Sequence, residues 1–312
     1  MIHVSELCFE YPNQRALHQL SFEIAAGSVT ALVGANGAGK TTLLRCIAGL
    51  DTPLSGRITV AGVDVIEHPR KAHRLIGYLS DSFGLYEDLT VAQCLEYAAS
   101  AQGLPASAVQ AAVQQTAQRL ELFERLSSPT TTLSRGMRQR VAIGQAIIHK
   151  PKLLLLDEPA SGLDPEARAN LAGLFRQLQA EGMTLLVSSH ILAELDEYST
   201  AMLALRDGRL LEQRNLQSSA ADDERIHLHV QVLAPDDRVS ALLAAAGGQL
   251  LPQPDTQSYL CLFSAAPQQQ ASLLATLVQH GIAVTSFTAS KENLQQSYLR
   301  SLANAQEQAK AS

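Results

Sequence analysis

The chain has 312 residues, 46% of them hydrophobic, and a formal charge of −6 at pH 7. That length and apolar content suit one large and one small domain, each with its own core. The acidic balance and the few aromatics (seven Tyr, seven Phe, no Trp) argue against a nucleic-acid-binding surface, and no apolar run approaches the roughly 20 residues that cross a bilayer. The N-terminus lacks a basic-then-apolar signal segment, which predicts a cytosolic chain. Cys8, Cys46, Cys94 and Cys261 are scattered without a C-x-x-C pair and read as buried free thiols.

In chain order, residues 3–11 and 20–25 read as short strands joined by the polar turn Pro12-Asn13-Gln14-Arg15. Val29-Thr30-Ala31-Leu32-Val33 reads as a buried strand. It runs into Gly34-Ala35-Asn36-Gly37-Ala38-Gly39-Lys40-Thr41, a match to G-x-x-x-x-G-K-[ST], and a helical pattern starts at Thr42. Strand, loop and helix in this order are the context a phosphate cradle needs. Glycines let backbone N–H groups turn inward, and the helix N-terminus adds partial positive charge. Lys40 is placed to reach β- and γ-phosphates, and the Thr41 hydroxyl to ligate Mg²⁺.

Gly56 to Val60 and Ile76 to Leu79 add strand-like runs. Helical periodicity begins near Val91 and continues through the Ala/Gln-rich stretch 106–122. A further helix is predicted from an N-cap at Ser134 to about His149. Leu153-Leu154-Leu155-Leu156, bounded by Pro151 and Asp157, has the continuous apolar character of a strand covered on both faces. A helix over Pro165–Glu181, a strand over Thr184–Ser188 and a helix from Ile191 complete a β–α alternation, which indicates a parallel sheet flanked by helices. The small, polar run 217–223 marks a boundary, dividing the chain into 1–218 and 219–312. Beyond it, strand 225–233, helix 236–246, strands near 249–252 and 258–264, helix 267–280 and strand 282–288 give a βαββαβ order that suggests a ferredoxin-like domain. Residues 291–303 read as a closing helix.

Three further clusters carry chemistry. The apolar strand ending in Asp157-Glu158 delivers one carboxylate suited to holding Mg²⁺ and a second suited to polarising a water for in-line attack. Ser134-Arg135-Gly136-Met137 opens a capped helix whose first-turn amides suit an anion, although an ordinary capped surface helix fits the same residues. His190 ends a strand at the sheet edge where open α/β sheets bind ligands. His227 and His229 share a strand face, but no third metal ligand is evident.

GANGAGKT, LSRGM, LLLLDEP, SGLD and a lone His190, in that order, resemble the ATP-binding cassette family over residues 1 to about 215. The extension beyond resembles that of ATPase subunits of ABC-2-type exporters. The resemblance implies a P-loop NTPase cassette: a parallel core sheet, an antiparallel β subdomain and an α-helical subdomain, followed here by a small α+β domain. It implies an ATPase that uses ATP and Mg²⁺, sits peripherally on the cytoplasmic face of the membrane, and works with a separate membrane-spanning permease. It also implies that two cassettes pair head to tail on ATP.

Carried onto this chain, Tyr11 would stack on adenine, and Gly34, Ala35, Asn36, Gly37, Ala38, Gly39, Lys40, Thr41 and Thr42 would bind ATP. Thr41, Asp157 and Asp81 would serve the metal. Glu158 would be the general base, and His190 would contact the γ-phosphate. Ser134, Arg135, Gly136 and Met137 would face the partner's ATP, and Asp164 would lie on the loop crossing the dimer interface. Phe83-Gly84-Leu85-Tyr86 would dock a helix of the membrane partner. The sequence departs from the family at Asp81, where Gln is usual, and at Arg135 and Met137 within the LSGGQ-like segment. The alternative is a soluble member acting on nucleic acid or ribosomes. Such proteins usually carry two cassettes in one chain or a long coiled coil between the two phosphate-binding segments; here Ser134 follows Lys40 by only 94 positions without sustained heptads, and the acidic balance also disfavours this reading. A degenerate cassette that binds ATP without hydrolysing it is disfavoured because Glu158 and His190 are both present.

Overall fold

The computed structural model describes residues 1–189, 191–216, 225–251 and 257–290. They fall into two units, one of them Met1–Leu216 and the other within Gln217–Arg300. His190, the polar run at 217–223 and the helix expected over 291–303 lie outside the described residues.

The first unit begins with β1 (Ile2–Tyr11), β2 (Gln14–Ile24), β3 (Val29–Val33), α1 (Lys40–Ile47), β4 (Ser55–Val60) and β5 (Val63–Asp64). The order β2-β1-β4-β5 makes an antiparallel sheet. The expected turn over residues 12–15 is shorter than the sequence suggests. Asn13 takes a left-handed φ of 67°, so Pro12 and Asn13 alone close the hairpin, and Tyr11 pairs with Gln14 and Glu10 with Arg15. Gln14 and Arg15 are exposed on the strand, and their polarity masks its start. Glu6 and Gln19, at φ 49° and 48°, lie where the β1–β2 register slips, the signature of bulges that bend the pair.

The chain continues through α2 (Pro69–His73), β6 (Ile76–Leu79), α3 (Val91–Ala101), α4 (Ala106–Arg119), α5 (Arg135–Ile147), β7 (Leu153–Asp157), α6 (Pro165–Ala180), β8 (Thr184–Ser188), α7 (Leu192–Leu195), β9 (Ala201–Arg206) and β10 (Arg209–Asn215). The second sheet has the order β10-β9-β3-β8-β7-β6, parallel except at β10. β7 and β8 are buried along their whole length, as their unbroken apolar runs require. The helical stretch expected from residue 91 to 122 is two helices, because Gly103 adopts φ 78° and Pro105 starts the next one. Thr90 and Gln93 form a reciprocal capping box at the start of α3. The helix expected from Ile191 is a single turn, Leu192–Leu195: the chain must reach β9, where Ala201 already pairs with Thr30.

α1 lies between the two sheets. Leu43, Leu44, Cys46 and Ile47 are fully buried in one cluster with Ile2, Leu7, Leu17 and Ile58 of the antiparallel sheet and Leu153, Leu155, Leu186 and Leu203 of the parallel one. At about 1.5–3 kcal/mol per buried aliphatic side chain, this cluster fixes the start of α1 against the ends of β3 and β7. All four cysteines are free and buried, and burial pushes the Cys46 thiol up to about 12, which leaves it unreactive.

The second unit contains β11 (Arg225–Val232), α8 (Arg238–Ala245), β12 (Gln249–Leu251), β13 (Ser258–Ser264), α9 (Pro267–Gln279) and β14 (Val284–Ser290). Its four strands are antiparallel in the order β12-β13-β11-β14, which is the ferredoxin-like arrangement. Leu228, Val230, Cys261 and Phe263 of the sheet share a core with Val239, Leu243, Leu273 and Leu277 of the two helices.

His149, just past α5, gives the first unit a pH dependence. Its Nε2 donates to the Ile76 carbonyl at 3.1 Å, and its buried Nδ1 has no partner among the described residues. Burial lowers its pKa from the ordinary 6.5. The unfolded chain therefore takes up this proton first. Stability is complete above about pH 6.5 and falls as the pH drops below that value. In thermal melts at pH 8 and pH 5.5, the wild type should lose more Tm on acidification than His149→Gln; equal losses would remove His149 as the source.

Candidate nucleotide-binding site

β3 delivers the chain to Gly34, and the loop 34–39 returns it to α1. Gly39, the N-cap of α1, has φ 100°, and a Cβ there would meet Leu17 Cδ2 at 2.8 Å and the Ala16 carbonyl at 3.0 Å, so only glycine fits. Among the described residues no side chain caps α1, which leaves its first-turn amides available to an anion. Lys40, 7% exposed, points back across the loop. Its Nζ donates to the Gly34 carbonyl at 2.8 Å and the Ala35 carbonyl at 3.3 Å, and stands 3.9 Å from Glu158 Oε1.

Asp157 ends β7 and is 1% exposed. Its Oδ1 accepts from Ser188 Oγ at 2.7 Å, and the same Oγ accepts from the Glu158 amide at 2.9 Å. Asp157 Oδ2 is buried with no hydrogen-bond partner among the described residues. A bare, buried carboxylate oxygen beside a phosphate loop fits a hard cation such as Mg²⁺. Glu158 takes a left-handed φ of 49°, a strained turn that sends its carboxylate back toward Lys40.

Lys40 and Glu158 line a cleft of about 590 Å³ with Tyr11, Asn36, Gly37, Gly39, Thr41, Thr42 and Asp81. Tyr11 is 41% exposed at its rim, its hydroxyl 3.2 Å from Thr42 Oγ1 and its ring edge-on to Phe9. Asp81 follows β6 and is exposed. The sequence reading missed Ser188, Arg15 and Asp207. Ser188 was visible only as the polar end of an apolar strand. Asp207 sits in an Asp-Gly hairpin between β9 and β10, two strands the sequence reading had not assigned.

Ser134, Gly136, Met137 and Asp164 line a separate cleft of about 550 Å³. Ser134 caps α5, its Oγ accepting from the Met137 amide at 3.3 Å, and Asp164 caps α6, its Oδ1 accepting from the Ala167 amide at 2.8 Å. Arg135 leans away from that cleft and donates to the Ser161 carbonyl at 2.9 Å.

Residues 17–161 match the family model described as ABC transporter. The chain is 30% identical over 308 residues to an uncharacterized ABC transporter ATP-binding protein, YxlF, of Bacillus subtilis, covering 96% of this chain and 99% of that one. The chain belongs to the ABC transporter family. It is also 31% identical over 213 residues to the Nod factor export ATP-binding protein I of Ralstonia nicotianae, covering 68% of this chain and 66% of that one. A solved ATP binding subunit of an ABC transporter superposes with a TM-score of 0.63 at 33% identity, covering 70% of this chain and 91% of that one. As an ABC family member the chain is an ATP-binding, transport-coupled ATPase with the P-loop NTPase fold. Among the described residues no helix is long and apolar enough to cross a membrane.

Lys40→Ala removes the one cation inside this ABC cleft that the P-loop itself holds. By the usual worth of a hydrogen bond to a charged group, ATP affinity should fall by about 1.5–3 kcal/mol, or roughly 10- to 150-fold, with the circular dichroism spectrum unchanged. Calorimetry showing wild-type affinity would remove Lys40 from the phosphate site.

Proposed function

We propose that the chain is the ATP-hydrolysing subunit of an ABC-2-type exporter, acting as a head-to-tail pair of cassettes beneath a separate membrane-spanning permease, on the cytoplasmic face. The observation that carries the pairing is the split of the candidate residues between two clefts of one chain. One holds Lys40, Thr41, Glu158 and Asp81, and the other holds Ser134, Gly136, Met137 and Asp164. Neither contains both a phosphate cradle and the second capped helix, whereas two opposed copies would supply both to each nucleotide. The exporter reading is supported by the likeness to a Nod factor export protein and by a ferredoxin-like second unit following the cassette. Residues 1–218 would form the cassette and 219–312 the accessory domain. Phe83, Gly84 and Leu85 line a groove beside Arg135 and Arg138 suited to a helix of the permease.

In this reading Lys40 exchanges its loop carbonyls for β- and γ-phosphate oxygens, and the first-turn amides of α1 hold the remaining phosphate charge. Tyr11 supplies a face for adenine at the cleft rim. Thr41, Asp157 and Asp81 would hold Mg²⁺, which when bound neutralises phosphate charge. Glu158 accepts the proton of the attacking water, beside a Lys40 that has turned to the phosphates. His190 would contact the γ-phosphate. Closure of the pair on ATP and reopening after hydrolysis drive the permease.

Glu158→Gln keeps the shape of the base but cannot take the proton. Turnover should fall by about 10²–10⁴-fold, the usual worth of a general base, while ATP still binds. With MgATP the variant should elute from size exclusion as a dimer, because a negative charge facing the γ-phosphate is gone. Wild-type turnover would dismiss Glu158 as base, and a monomer at saturating MgATP would dismiss the pairing.

Asp81 is exposed at the joint after β6, where the family usually has Gln. Its charge repels the γ-phosphate and attracts the metal, so Asp81→Ala should change MgATP affinity by less than about tenfold, or 1.4 kcal/mol. Stimulation of the ATPase by the membrane partner should drop sharply in the reconstituted complex. Normal stimulation would leave Asp81 a solvated carboxylate, and a large loss of affinity would make it a direct metal ligand.

A further inference from the structure

Arg135 is the first residue of α5, where the positive end of the helix dipole works against a cation. The residue is exposed, yet its guanidinium finds a partner within the chain. Nη2 donates to the Ser161 carbonyl at 2.9 Å, and the plane lies so close to Gly162 that a Cβ built there would fall 2.5 Å from Cζ and 2.6 Å from Nη2. Gly162 itself adopts φ 68°, which allows the loop to present its bare Cα to the guanidinium. Alongside, the first turns of α5 and α6 touch: a Cβ at Gly136 would meet Ala167 Cβ at 3.3 Å. The far end of the loop is anchored separately, since Leu163 is buried and its carbonyl accepts from Arg168 Nε at 2.9 Å. Among the described residues, only the Ser161–Gly162 end depends on a long side chain reaching over from another helix.

We propose that Arg135 is a positioning residue that ties the Ser161-Gly162-Leu163-Asp164 loop to the start of α5 within one chain. The two segments that face the second cassette then keep a fixed spacing. This rests on the two-cassette reading above. A residue without that reach, such as the Gly more usual in the family at this position, leaves the loop's first half without this hold. Gly162 is already demanded by its φ of 68°, and a side chain there would in addition displace the guanidinium, the flexible end of Arg135.

The test uses the full-length chain and four variants: Arg135→Ala, Arg135→Lys, Gly162→Ala, and the Arg135→Ala/Gly162→Ala double. The first readout needs no nucleotide. The Ser161 and Leu163 amides donate to the Glu158 and Ala160 carbonyls, so hydrogen exchange reports the order of the loop. Arg135→Ala should speed exchange there by about fivefold, the worth of one hydrogen bond of ordinary strength. Arg135→Lys should fall between, because an ammonium cannot lie flat on Gly162. The double variant should be no worse than Gly162→Ala alone, since both changes remove one contact.

With MgATP, Arg135→Ala should lower kcat about fivefold while the ATP affinity of its own P-loop stays within about twofold. Unchanged exchange in Arg135→Ala, or additive effects in the double variant, would overturn the link. A rise in KM matching the fall in kcat would instead make Arg135 a ligand of the partner's nucleotide. If the wild type shows neither ATPase activity nor ATP-dependent pairing, the functional reading fails, and the exchange arm still decides whether Arg135 holds the loop.

Discussion

A carboxylate placed where water scarcely reaches, with one oxygen satisfied and the other bare, is the constraint on which the site depends. Asp157 reaches that position because four leucines before it are buried on both faces of a parallel sheet, which fixes where β7 ends. Ser188 on the neighbouring strand satisfies Oδ1 and, with the same hydroxyl, accepts from the Glu158 amide. One small side chain thus sets the rotamer of the first carboxylate and the turn that aims the second. An unpaired buried carboxylate oxygen costs several kcal/mol unless a cation or proton compensates. The fold tolerates it next to a loop whose own chemistry is to gather phosphate and its counter-ion.

The second cleft is built on a different principle. Two helix N-termini, each capped by its own oxygen-bearing residue, start side by side, and their backbone amides rather than buried charges are what they offer. Such ends are preorganised only as well as the loops leading into them. The loop into α6 is held at one end by the burial of Leu163 and at the other by a guanidinium from α5. The departure from the family's usual glycine at position 135 is therefore compensated inside the same chain: the dipole cost of a cation at a helix start is offset by a carbonyl and a close, flat contact.

The parallel core was legible because unbroken apolar runs admit little else, and Thr184–Ser188 came through with its bounds unchanged. The P-loop was legible because its glycines are demanded by backbone geometry that no other residue meets. The start of β2 was not, since Gln14 and Arg15 are polar on an exposed strand and the turn depends on one left-handed Asn13. The one-turn α7 was overestimated because sequence periodicity cannot see that β9 must begin at Ala201 to pair with β3. Ser188 as a bridge and Arg135 as a clasp were illegible for the same reason. Each acts through a residue far along the chain, and single-chain spacing carries no trace of that pairing.

Lys40 draws the two halves of the site together. Its ammonium is already removed from water, so the desolvation of the cation is met during folding by the Gly34 and Ala35 carbonyls and by the nearby Glu158 carboxylate. In the proposed site a triphosphate would have no need to strip water from the lysine; it would replace weaker acceptors with stronger ones around a cation that is already in place. In the proposed site the same exchange would weaken the attraction between Lys40 and Glu158, so filling the cradle would also change the surroundings of that carboxylate.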